Sequence, residues 1–111
     1  MSMMKPTKPA TLYAWAERKF GPSKCKDIRF IKTSPKKPKW MGEYEWKSGI
    51  ITLNLTWIKS SPTLYKTLAH EWTHAQQLYR DYKYYEARHT YKDHPLELEA
   101  KEVERGVYRN R

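Results

Sequence analysis

Disulfide bonding is the first thing this sequence lacks. Cys25 is its single cysteine, so no internal disulfide can form and a four-cysteine zinc site is excluded. The lone thiol reads as a packing residue rather than a nucleophile. No apolar run approaches the length that crosses a bilayer. The N-terminal stretch MSMMKPTKPA has no apolar central region, so it does not read as a secretory signal. These absences point to a soluble, cytoplasmic protein. No internal repeat or internal domain boundary is visible. At 111 residues, one domain with one modest core is expected.

Aromatic side chains and positive charge are abundant. Five Trp and nine Tyr help lift the aromatic share to 14%, although the hydrophobic share is only 39%. That load argues against disorder and for a small core built from a few large rings. The net charge is +10 and uneven. Residues 1–48 carry twelve Lys/Arg against four Asp/Glu, whereas residues 49–111 carry ten against eight. The first half would favour acidic partners: nucleic acid, an anionic membrane surface or an acidic substrate. No arginine-rich helix or nucleic-acid-binding motif accompanies the charge. A lysine-rich solvated surface, binding polyanions weakly, is the plainer reading.

Residues 1–9 read as a flexible basic tail and residues 10–111 as a single domain. Residues 9–21, PATLYAWAERKFG, predict a helix with Pro9 in its first turn and Gly21 as its stop. Alternation predicts strands at 27–33, 40–47 and 49–57. Trp40, Gly42, Tyr44 and Trp46 share one parity, and Ser48-Gly49 suits a tight turn. In the third strand Ile51, Leu53, Leu55 and Trp57 point one way, and Asn54 and Thr56 the other. A long helix is expected from about residue 62 to about 81, capped by Ser61. Residues 82–92 are ambiguous. A last helix starts near Pro95, capped by Asp93 or His94, and ends at Gly106. Helix, three strands, helix, helix is an α+β pattern.

LAHEWTHAQQLY, residues 68–79, carries the chemistry. Residues four apart on a helix lie about 40° apart around the axis and one turn apart along it. His70 and His74 can therefore aim at a common atom, with Glu71 beside them. This is the H-E-x-x-H arrangement: two imidazole ligands for zinc and a glutamate that takes a proton from an attacking water. By chance it arises in under about 1% of chains this short, at average residue frequencies.

Zinc needs a third protein ligand. The compact three-histidine form is absent, because Gln77 and Arg80 stand where its glycine and last histidine would be. His89, His94, Glu97 and Glu99 remain. Glu97 lies near the first turn of the last helix, 23 residues after His74, and a helix is the better support for a ligand.

HEWTH followed by ELEA resembles the gluzincin metallopeptidases, which pair H-E-x-x-H with a downstream glutamate on a second helix. The E-x-x-A element is similar to that of CAAX-type and HtpX-type membrane proteases. The order of elements resembles the minigluzincins, minimal soluble versions of that catalytic domain, over roughly residues 44–105. The resemblance implies a zincin-like catalytic domain with an N-terminal helix, a three- or four-stranded sheet, the H-E-x-x-H helix and a C-terminal glutamate helix. It implies one Zn2+ per chain on His70, His74 and Glu97, Glu71 as general base, and a peptide or protein substrate. His94 and His89 stay open as alternative ligands. The sequence departs from the membrane families at Lys101, where they have Asp; Glu99, Glu102 or Glu104 would have to steady a ligand instead.

The resemblance further implies that strand 50–57 is the sheet edge that receives substrate, with Asn54 and Thr56 facing the cleft or solvent. His89, Tyr91, Arg105 and Tyr108 are candidates for stabilising an oxyanion. The last six residues, GVYRNR, could fold back and hold the enzyme latent, or swap into a neighbour in an oligomer. The alternative reading is a basic nucleic-acid- or partner-binding protein whose zinc is structural or vestigial.

Overall fold

The computed structural model describes residues 8–107. Helix α1 runs Pro9–Phe20, with Lys8 as its extended N-cap. Pro9 is thus helical rather than part of a tail. Its ring presets the helical φ, and the N–H it lacks would have no partner in a first turn. Leu12 and Ala16 mark the buried stripe of α1.

Three strands follow: β1 (Asp27–Ile31), β2 (Gly42–Glu45) and β3 (Ile50–Asn54). Each is shorter than its alternating pattern. They form one sheet in the order β1-β3-β2, with β3 parallel to β1 and antiparallel to β2. The β2–β3 turn closes on Gly49, whose φ of 77° favours glycine. The central place of β3 overturns the expectation that its strand is an edge. Both its edges are paired, and both its faces are buried: Ile51 and Leu53 on one, Thr52 and Asn54 on the other. Asn54 therefore does not face a cleft. It donates to Thr33 Oγ1 and accepts from the Thr56 N–H, turning the chain out of the sheet. Thr56 in turn is engaged with Thr33 rather than with a cleft.

Helix α2 runs Ser61–Gln76. Ser60, one residue before the expected cap, accepts from the Thr63 N–H. The helix stops five residues short of its expected end. Gln77 is extended, and a separate helix α3 runs Tyr79–Glu86. A 3₁₀ turn at Tyr91–Asp93 leads into helix α4, Pro95–Gly106, capped by His94 through its ring nitrogen. The result is an α+β architecture.

The core lies between the sheet and helices α1 and α2. Trp72 is fully buried there among Leu12, Ile51, Leu53 and Leu68. Its indole N–H donates to the Gly21 carbonyl at 3.0 Å, so the polar atom of this large ring is satisfied. Cys25 is buried too, and burial pushes its thiol up to about 11. That suits a packing residue and not a nucleophile. Among the described residues no helix is long and apolar enough to cross a membrane.

Candidate metal centre

Helix α2 presents His70 and His74 on one face, one turn apart. Helix α4 packs against α2 and brings Glu97, in its own first turn, opposite the pair. Glu97 Oε1 lies 3.1 Å from His70 Nε2 and 3.1 Å from His74 Nε2. One ligand atom from each of the three side chains lies within 4.8 Å of the others. His74 and Glu97 are buried and His70 is nearly so.

The outward-facing atoms decide whether this group suits a metal ion. His70 Nδ1–H donates to Glu104 Oε1 at 2.9 Å. His74 Nδ1–H donates to Gln77 Oε1 at 2.7 Å. An acceptor at Nδ1 keeps the proton there and leaves the Nε2 lone pair facing inward, the tautomer a metal needs. The Gln77 amide is oriented by its own donors, since its Nε2 donates to the Leu96 carbonyl and to Glu99. The second oxygen of Glu97 accepts from the Tyr82 hydroxyl. Every inward-facing donor atom is thus backed by a hydrogen bond on its far side. Two imidazoles and one carboxylate so held fit a divalent metal ion.

Without a metal the same atoms share protons. Burial lowers the affinity of His70 for a proton, but hydrogen bonds to Glu104 and Glu97, with Glu71 nearby, outweigh it and push His70 up to about 9. His74 is raised against burial in the same way by Glu97, Glu71 and Gln77. Burial alone would raise Glu97, yet hydrogen bonds from His70, His74 and Tyr82 hold it well below the usual carboxylate range.

Glu71 sits one residue after His70 and turns toward β2. Burial raises its pKa; the two histidines pull it down and Glu97 and Glu43 push it up. Its fit depends on Gly42. A Cβ there would lie 2.7 Å from Thr67 Cγ2 and 3.2 Å from Glu71 Cγ. Glycine thus lets β2 lie close against the helix that carries the glutamate. A cleft of about 230 Å³ opens over the group, lined by Gly42, Glu71, Tyr91 and the three candidate ligands among others.

The edge strand beside α2 is β2 rather than the expected 50–57. Asn54 N–H donates to the Met41 carbonyl at 2.8 Å. Alternate residues of an antiparallel ladder face the partner, so Glu43 and Glu45 face β3. Gly42 and Tyr44 turn their backbone N–H and C=O to the other side, where no strand pairs among the described residues.

The remaining candidates lie elsewhere. His94 uses both ring nitrogens: Nδ1 accepts from the Leu96 N–H, and Nε2–H donates to the Tyr82 carbonyl at 3.1 Å. His89 is near Asp93, at 3.9 Å, and its ring is tilted against that of Tyr85. Glu99 supports Gln77. Glu102 pairs with Arg105 on the surface. Lys101 sits over the Tyr91 ring, 4.8 Å from its centroid. Of the carboxylates that could replace the missing Asp, Glu104 backs His70 directly and Glu99 acts through Gln77. Of the oxyanion candidates, Tyr91 lines the cleft and hydrogen-bonds Glu97; burial, the charges of Glu97 and Glu71, and that hydrogen bond push its hydroxyl up to about 12. Tyr108 and most of the expected latency segment lie outside the described residues.

Sequence reasoning missed the roles of Gln77 and Tyr82. Gln77 had a signal, being three residues beyond His74 on what reads as a continuing helix. Tyr82 had none, because its approach to Glu97 requires the break at Gln77. Comparison with known proteins found no family model that matches this chain, and no curated protein or solved structure that matches it either.

Proposed function

We propose that the chain is a zinc-dependent endopeptidase. The observation that carries this reading is the His70–His74–Glu97 group with all its inward atoms backed, beside Glu71 and a free sheet edge. A zinc ion held there would polarise a carbonyl and acidify a water. An extended peptide adds to β2, exchanging backbone hydrogen bonds with Gly42 and Tyr44. The Glu71 carboxylate accepts a proton from the attacking water and passes it to the departing amine nitrogen. The Tyr91 hydroxyl, protonated at neutral pH, exchanges its hydrogen bond to Glu97 for one to the oxygen on which charge develops. Tyr82 is committed to Glu97 and keeps that carboxylate in place.

The test joins metal content to hydrolysis. Purified protein should hold about one zinc per chain by elemental analysis, lost in His74→Ala and Glu97→Ala. Glu71→Gln should keep the zinc and lose roughly 10²–10⁴-fold in peptide cleavage. A chain that stays metal-free in excess zinc, or a Glu71→Gln protein as active as the wild type, would sink the reading.

The second reading, a basic partner-binding protein, draws on the exposed lysines at 32, 36, 37 and 39 around the β1–β2 loop. It predicts DNA affinity that falls steeply with salt. Both readings are compatible with a cytoplasmic protein.

A further inference from the structure

An aromatic cavity beside the metal centre has no task in the mechanism above. It measures about 520 Å³, and among the described residues Trp46, Lys47 and Tyr79 line it. Trp46 is the first residue after β2. Its ring is held by Tyr44, Tyr82 and Tyr79, with centroids 5.1, 5.3 and 5.5 Å away, and faces the His74 ring at 6.2 Å. Tyr79 opens the first turn of α3 and is 53% exposed. The indole, packed on several sides, and the adjoining half-exposed phenol form one continuous aromatic wall that is open to solvent.

The free edge of β2 leads into this cavity. A strand advances about 3.3 Å per residue, with same-face side chains about two residues apart. Trp46 lines both this cavity and the cleft over the metal centre, so a peptide laid along Gly42–Tyr44 runs toward the cavity from the site of cleavage. The cavity at the other end of the edge is different. It measures about 320 Å³ and mixes Trp40 and Met41 with Lys39, Glu71 and Glu104. That end carries both carboxylates and aromatic groups, whereas the described lining of the Trp46 end is two aromatic rings and one lysine.

We propose that the Trp46–Tyr79 cavity takes a large aromatic side chain of the substrate, at the residue next to the bond that is cut. This specificity rests on the peptidase reading, so its test must separate the two. The probes are ten-residue peptides of Ala, Ser and Lys with one Phe moved through successive positions. Products of the zinc-loaded wild type are identified by mass spectrometry. The cut bond should move with the Phe. The preference for Phe over Ala should be roughly tenfold to a hundredfold in kcat/KM. Tyr79→Ala should reduce the preference to about threefold or less, and Tyr79→Phe should restore it.

A cut at a fixed position whatever the place of Phe, or equal cleavage of Phe and Ala peptides, overturns the proposal. If no peptide is cleaved, the peptidase reading fails and binding decides the cavity. Fluorescently labelled Phe and Ala peptides are then titrated onto zinc-loaded Glu71→Gln protein. Tighter binding of the Phe peptide by tenfold or more, abolished when Tyr79→Ala is added, upholds the cavity alone. Equal binding overturns it.

Discussion

Helices α2 and α3 both reach the candidate metal centre, yet they are built in opposite ways. Helix α2 buries nine of its sixteen residues, Trp72, His74 and Glu71 among them. Helix α3 buries none of its eight. The buried helix carries two of the candidate ligands and the proposed general base, whereas the surface helix contributes the Tyr82 hydroxyl that holds Glu97. A ligand atom must return to the same place each time, and packing against a core is what ensures that. A backing hydrogen bond tolerates a looser support.

The comparison breaks most visibly in α2. Trp72→Ala should cost about 3–5 kcal/mol in denaturant unfolding, from lost burial and the cavity left behind. A loss under about 1 kcal/mol would mean that α2 is not the rigid element inferred here. Next is the strand pressed against α2. Gly42→Ala forces a methyl group toward Thr67 and Glu71, and should cost about 1–3 kcal/mol. It should also lower peptide cleavage, measured beside unchanged Gly106→Ala, where a Cβ meets nothing within 4 Å.

On the α3 side, Tyr82→Phe removes one hydroxyl and keeps the ring. Zinc affinity in competition with a chelator should fall roughly tenfold or more. Unfolding free energy of the metal-free protein should change by only about 1 kcal/mol. Unchanged affinity would make Tyr82 a bystander. Tyr84→Ala, at an exposed position of the same helix, should stay within about 0.5 kcal/mol of the wild type.

Protons sharpen the contrast further. His70 is raised from 6.5 to about 9 in the folded, metal-free protein. A raised pKa stabilises the fold fully below pH 6.5, and that contribution is lost as pH rises through 9. Zinc requires neutral imidazoles, so its stabilisation changes in the opposite direction. Between pH 6 and 9 the Tm of the metal-free protein should fall and the gain in Tm from added zinc should grow. A zinc increment that is flat across this window would count against His70 as a ligand.

Much of this was legible in the sequence. Pro9, Pro62 and Pro95 announce three helix starts, and period-two patterns announce all three strands. The spacing put His70 and His74 on one helix face with Glu71 beside them, and Glu97 stood among the candidates to meet the pair. The misreadings share one cause. The helix expected to reach residue 81 stops at Gln76, because Gln77 leaves the helix to serve His74, Leu96 and Glu99. The family resemblance put the strand at 50–57 on a sheet edge, yet β3 pairs on both sides, and Thr52 and Asn54 on its second face are buried as well. In both places a distant partner decided the outcome.

By itself, the sequence determined what lies within a turn or a strand: helix starts, the face shared by His70 and His74, and the carboxylate one residue away. Backbone geometry dictates these, and it is the same wherever the segment sits. The tertiary structure decided what stands opposite. It brought Glu97 rather than His94 to the histidine pair, set Glu104, Gln77 and Tyr82 behind the candidate ligands, and left β2 rather than β3 with a free edge. Those choices depend on which buried surfaces fit one another across the chain, and local periodicity carries no record of that.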